Sequence, residues 1–245
     1  MGHSGGRRRM LAWGATLAVL AALPAANAAQ SVGPTQWTLA VTEEVTSVEP
    51  GTAPSANATA LVLRHLFEPL AAYEGTPFKL TPRLASSWTV KDNRVWEFKL
   101  RPGVRHHDGT PVTAEDVKYS LDIYRQDGSA RKANTVGITN VEVVDPQTVR
   151  ITTDGPRPGM MANLSLLLIF PKKAREKMGV DEFGKKPVGN GPYKFVEFVR
   201  GQRLVLEANP DYYRGRVQPS RLVLRPIADP ATRVAELKTG GVQII

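Results

Sequence analysis

Residues 96–120 read WEFKLRPGVRHHDGTPVTAEDVKYS, and their patterning decides the fold class. Trp96, Phe98 and Leu100 fall on one face of residues 95–100, and Glu97 and Lys99 on the other. That period of two marks a half-buried strand. Pro102-Gly103 closes it, as turn residues do. Thr113 then stands three residues before Asp116, and Glu115 adds a second acid. This is a capping-box start with negative charge in the first turn of a helix. Val117, Leu121 and Tyr124 follow on one helical face. A strand, a turn and a capped helix within one short stretch indicate a mixed α/β (α+β) chain.

The pattern extends in both directions. Upstream, residues 36–42 alternate as a strand, residues 47–57 are a Pro-, Gly- and Ser-containing loop, and residues 58–67 form a helix that Pro69 stops. Downstream, residues 141–144 and 148–152 read as strands joined by Asp145-Pro146-Gln147. Residues 160–170 read as a buried helix, with a strand as the alternative for so short an apolar run. Residues 185–228 are β-rich, with alternation over 194–199, 203–207 and 221–225, and Asn190-Gly191 is a turn signal. Asp229 at N-cap and Pro230 at N1 open a last helix. Val234 and Leu237 are expected to face inward on it, and Gly240 ends it. Residues 242–245 begin a further strand.

Residues 1–28 read as an export signal. Arg7, Arg8 and Arg9 precede a 13-residue apolar run from Leu11 to Leu23. Spanning a bilayer needs about 20 residues, so this run is too short. Pro24 breaks it, and Ala26-Asn27-Ala28 supplies a small-x-small site, with cleavage expected between Ala28 and Ala29. Arg7 to Leu11 also fits a loose twin-arginine pattern. The expected location is the periplasm. The chain has no cysteine, so it has no disulfide, no thiol nucleophile, no zinc-thiolate site and no lipid-bearing N-terminal Cys.

The chain's 245 residues carry a net charge of +9. Without the three arginines of the signal, 29 basic face 23 acidic residues, a balance of +6. The basic residues are scattered and not interleaved with aromatics, which argues against nucleic acid. His106-His107-Asp108 invites a metal reading. However, adjacent side chains diverge on any regular element. The bland reading is a turn in which Asp108 accepts local backbone bonds and Gly109 supplies a permissive φ. His65, on the 58–67 helix, reads as a rim or core histidine. No nucleophile elbow and no phosphate-binding glycine loop is present. No catalytic residue, metal site or cofactor is assigned.

Several blocks together carry a resemblance. Residues 96–105 and 107–120, Pro82-Arg83-Leu84-Ala85-Ser86-Ser87-Trp88, residues 187–195 (PVGNGPYKF), Asn209-Pro210-Asp211-Tyr212-Tyr213 and residues 225–240 occur in order. In that order and spacing the chain resembles the family 5 extracellular solute-binding proteins, receptors of ATP-binding-cassette importers for peptides, nickel, opines and related solutes. His106 stands where an aromatic is usual in that family, and Asn190 where Thr or Ser is usual.

The resemblance implies a periplasmic-binding-protein type II-like lobe I with an additional subdomain, the second lobe missing. Residues 29–50 would begin lobe I, 51–185 form the additional subdomain and 186–245 return to lobe I, truncated. It implies binding without catalysis of a small solute, foremost an oligopeptide or dipeptide. The partner would be an inner-membrane ABC permease complex, and the receptor a monomer that binds no nucleic acid. Ligand contacts are expected at strand-end loops: Thr46, Ser47 and Val48 after the first strand, and Asn190, Gly191 and Tyr193 in the return segment. Two alternatives stand beside it: an exported metal-assisted hydrolase using His107 and Asp108, and a truncated receptor fragment that binds nothing by itself.

Overall fold

The computed structural model describes residues 1–2, 35–53 and 57–245. The signal segment and its Ala28/Ala29 junction therefore lie outside the described residues. The elements run β1 (Gln36–Val41), α1 (Asn57–Leu66), β2 (Glu68–Pro69), β3 (Ala71–Glu74), β4 (Lys79–Pro82), β5 (Ala85–Lys91), β6 (Val95–Leu100) and α2 (Ala114–Tyr124). After a 3-10 turn come β7 (Ile138–Asp145), β8 (Thr148–Thr153), α3 (Met160–Leu164), β9 (Leu168–Ile169), α4 (Lys172–Met178) and α5 (Val180–Lys185). The return is β10 (Tyr193–Val199), β11 (Arg203–Ala208), β12 (Arg221–Pro226) and α6 (Pro230–Thr239).

One antiparallel sheet has the order β5-β6-β8-β7. Phe98 pairs with Val149 and Trp96 with Ile151, and all four side chains are buried. Their outward neighbours form a charge ladder: Arg150 bonds both Glu97 and Glu142 on the flanking strands. Such exposed cross-strand pairs add only tenths of a kcal/mol each. The buried face receives Val117, Leu121 and Tyr124 of α2, the three residues its periodicity selected. Asp116 reaches back to the Thr113 N–H at 2.8 Å and fixes where that helix starts.

The second sheet has the order β1-β12-β11-β10. β1 runs parallel to β12, with Val41 paired to Pro226. On the other side of β1, Ile244 forms one isolated parallel bridge to Leu39, which is all that stands where a strand was expected at 242–245. Two further pairs are separate two-stranded sheets: β2 with β9, over two residues each, and β3 with β4.

Three sequence readings need correction. Residues 160–170 are not one helix: α3 ends at Leu164, and Leu168 and Ile169 pair with Pro69 and Glu68. A buried helix would leave the β2 backbone unpaired, so tertiary pairing overrides the apolar run. Val234 and Leu237 do not face inward; they are 41% and 39% exposed. Polar neighbours occupy the inner side of α6: Glu236 meets Arg225 at 3.1 Å, and Arg233 donates to the Ile227 and Ala228 carbonyls.

Asn190-Gly191, read as a turn signal, does not form a turn. It is buried main chain laid against the end of α1, where both N–H groups donate to Leu66 O at 3.0 and 2.9 Å. The Asn190 amide brackets the short strand pair, accepting from Glu68 N–H at 2.8 Å and donating to Ile169 O at 2.9 Å. Asn190→Leu leaves two buried backbone groups unpaired. It is expected to cost about 2–5 kcal/mol. Urea denaturation of variant and parent checks this, and a loss under about 0.5 kcal/mol, the size of a neutral surface change, would refute the bracket.

Candidate functional site

Because β1 and β12 are parallel and in register, both leave the sheet at the same edge. Residues 42–50 issue from β1 there, and Ile227 follows β12, its N–H donating to Val41 O at 2.9 Å. The β10–β11 turn joins them, since Gly201 N–H donates to Glu44 at 2.8 Å. The edge beyond the C-terminal ends of parallel strands is the general ligand position of open α/β sheets.

The loop at that edge is held from beneath. Glu49 is buried; one carboxylate oxygen accepts from the Thr52 N–H and hydroxyl at 2.6 and 2.8 Å. The other accepts from Arg175 Nε at 2.7 Å. Arg175 also donates to the Tyr119 hydroxyl at 3.0 Å, and its guanidinium lies over the Tyr119 and Phe170 rings at 5.8 and 5.5 Å. Ser47 Oγ accepts from Glu49 N–H at 3.2 Å. Thr46 is exposed, Ser47 half-buried and Val48 buried in the core. The main-chain N–H and C=O groups of these three residues have no hydrogen-bond partner among the described residues. Of these, Thr46 and Ser47 are open enough for their unpaired main chain to pair with an extended ligand backbone.

Asn190, Gly191 and Tyr193 lie elsewhere, against the C-terminal end of α1. Among the described residues no hydrogen bond joins them to 46–48. Asn190 is occupied by its bracket. A Cβ on Gly191 would stand 2.5 Å from His65 O, so only glycine allows this approach. Tyr193 is buried and donates to Pro219 O at 2.9 Å, with its ring edge-on to His65 at 5.5 Å. The sequence reading missed Glu49 and Arg175, which stand 126 positions apart; an ion pair at that separation leaves no local pattern.

His106, His107 and Asp108 diverge as a turn requires. His106 is buried, with Nε2 3.3 Å from Asp116 Oδ2. Asp108 accepts from the Thr110 N–H and hydroxyl, and Gly109 adopts φ +86°. His107 Nδ1 accepts from Gly189 N–H at 3.1 Å, which fixes the tautomer, and its Nε2–H donates to Gly191 O at 3.1 Å. Both ring nitrogens are committed, so the imidazole has no lone pair for a metal or a substrate proton. Among the described residues, no three His, Asp or Glu side chains gather where they could hold a metal ion. No described helix is long and apolar enough to cross a membrane.

Residues 79–245 match the bacterial extracellular solute-binding proteins, family 5 middle region. A Brucella ovis protein named as a peptide-binding protein of an ABC transporter is 35% identical over 186 residues, covering 72% of this chain and 35% of that one. The periplasmic oligopeptide-binding protein OppA of Escherichia coli is 30% identical over 267 residues, covering 92% and 47%. The solved structure of the Agrobacterium tumefaciens binding protein MoaA with mannopinic acid superposes with a TM-score of 0.79. It is 34% identical, over 84% of this chain and 44% of that one. The chain thus spans between a third and a half of the length of these proteins.

Burial, against the smaller opposing effect of its bond to Gly191 O, lowers the His107 pKa to about 4. Its ordinary value is about 6.5. A histidine held neutral in the fold takes up its proton only on unfolding. Its stabilising contribution is therefore complete above pH 6.5 and is lost as pH falls toward 4. The full loss is of order 3 kcal/mol. Melting curves of the parent from pH 7 to pH 4 should fall more steeply than those of His107→Gln. Parallel curves would show that His107 is not held neutral.

Proposed function

This chain belongs to the family 5 bacterial extracellular solute-binding proteins, and from that premise we propose that it supplies one wall of a receptor cleft. The receptor binds a short peptide or a related small solute in the periplasm and presents it to an ABC permease, with no chemical step. It acts as a monomer and takes no nucleic acid. The names of its relatives, an oligopeptide receptor and a mannopinic acid receptor among them, set the range of ligand size.

The observation that carries this reading is the unpaired main chain of Thr46, Ser47 and Val48 at the parallel-strand edge. An extended peptide placed there adds hydrogen bonds as a strand adds to a sheet edge. Recognition through main chain is indifferent to ligand side chains, which suits a receptor for varied peptides. In this reading 46–48 touch ligand, and Asn190, Gly191 and Tyr193 hold the floor beneath.

The test is NMR titration of the mature chain with trialanine, following the amides of 46–48. Saturable shifts centred there are expected; shifts elsewhere, or none, overturn the reading. Glu49→Ala exposes the second prediction, because it leaves Arg175 buried without its partner. Removing one member of such a pair costs about 3–5 kcal/mol. Glu49→Ala with Arg175→Met should recover part of that stability while trialanine affinity stays reduced, because the loop is no longer pinned. Full recovery of affinity in the double variant would show that the pair does not position the loop.

A further inference from the structure

Two arginines are more than nine-tenths buried among the described residues, Arg175 at 6% exposure and Arg131 at 8%. The fold treats them oppositely. Arg175 meets Glu49 and Tyr119. Arg131 forms no ion pair, its side chain donates to none of the described residues, and its Nε is buried without a hydrogen-bond partner. No carboxylate can be missing from this account: all 23 Asp and Glu residues lie in the described segments. Arg64 on α1 is a second guanidinium without a carboxylate within 4.0 Å. Partial burial on an otherwise exposed helix position, and after it the charge of Arg131, lowers its pKa.

A buried guanidinium without a counter-charge destabilises the fold that holds it. Its position ties it to the loop already described. Ser129 Oγ accepts from Arg131 N–H at 3.3 Å and donates to Gly51 O at 3.1 Å. Gly51 directly follows Glu49-Pro50, so the Arg131 backbone is fastened to the loop bearing 46–48. The Tyr124 hydroxyl donates to Leu168 O at 2.9 Å, and no hydrogen bond joins it to the Arg131 side chain. One guanidinium fork matches one carboxylate in geometry and in charge.

We propose that Arg131, assisted by Arg64, is an anion subsite beside the 46–53 loop that takes a carboxylate of the bound solute. The assignment deepens the receptor reading and rests on it for the identity of the loop, while the anion chemistry can be measured separately.

The experiment is calorimetry on the mature chain with trialanine, trialanine amide, glutarate and inorganic phosphate. Trialanine is expected to bind at least about tenfold more tightly than its amide, the scale of one charge-assisted bond. Arg131→Gln should erase that difference, and Arg64→Gln, on an exposed helix position, should reduce it. A preference that survives Arg131→Gln overturns the subsite, as does phosphate binding in place of glutarate.

Thermal melting of the ligand-free chain supplies a readout that a structural arginine would move the other way. Arg131→Met should leave Tm unchanged or raise it, because a residue kept for ligand is a burden on the empty fold. A fall of more than about 5 °C, beyond what one surface-scale change produces in a domain this size, would assign Arg131 to the fold instead. If neither peptide binds but glutarate binds through Arg131, the subsite stands and the peptide reading falls. If glutarate fails as well, the subsite falls too.

Discussion

The structure depends on one close approach, the passage of Gly189, Asn190 and Gly191 across the end of α1. Leu66 O, a carbonyl that a helix end leaves without an intrahelical partner, accepts two N–H groups from this strand of main chain. A Cβ on Gly189 would stand 1.8 Å from that oxygen, so no other residue fits. The same three residues reach the His107 turn through Gly189 O, Gly189 N–H and Gly191 O. They reach Asn209 through Gly191 O and the β2–β9 pair through the Asn190 amide. Segments far apart in sequence are thereby bolted at one place.

Local chemistry was readable from the sequence wherever it is self-contained. The alternation of Trp96, Phe98 and Leu100 needs only the pleat of a strand. The Thr113/Asp116 start needs only the first turn of a helix, and Asp229 caps α6 by accepting from Thr232 N–H at 2.6 Å. What could not be read depends on partners supplied from a distance. Asn190-Gly191 has the composition of a turn, yet its amide is occupied by backbone groups 122 and 21 positions away. Val234 and Leu237 have helical spacing, but the inner face of α6 is taken by Arg233 and Glu236, which find partners in and just after β12. The 160–170 run is apolar enough for a helix, and only the presence of β2 makes its end a strand.

The candidate site was harder to read than the fold for a related reason. Of the residues expected there, Thr46 and Ser47 are open to solvent, while Val48, Asn190, Gly191 and Tyr193 are buried. The residues that set the charge of the region, Glu49, Arg175 and Arg131, belong to no motif. The most conspicuous motif, His-His-Asp, is engaged in holding the 189–191 junction. A sequence signature reports whatever geometry demands particular residue types, and here the tightest demand comes from the junction.

A division of labour follows from these placements. In the proposed receptor, main-chain groups at 46–48 would hold any extended backbone and so would supply affinity without choice. Choice has to come from groups whose chemistry differs between ligands, and a guanidinium held in low dielectric is such a group, because its attraction to an anion is stronger there than in water. The cost is carried by the empty fold: an arginine without a counter-ion weakens it, while the paired Arg175 holds the loop in place. Burying one arginine with its carboxylate and the other without gives a rigid loop beside an unsatisfied charge. In the proposed receptor that arrangement would favour ligands that bring the missing carboxylate over those that offer only a peptide backbone.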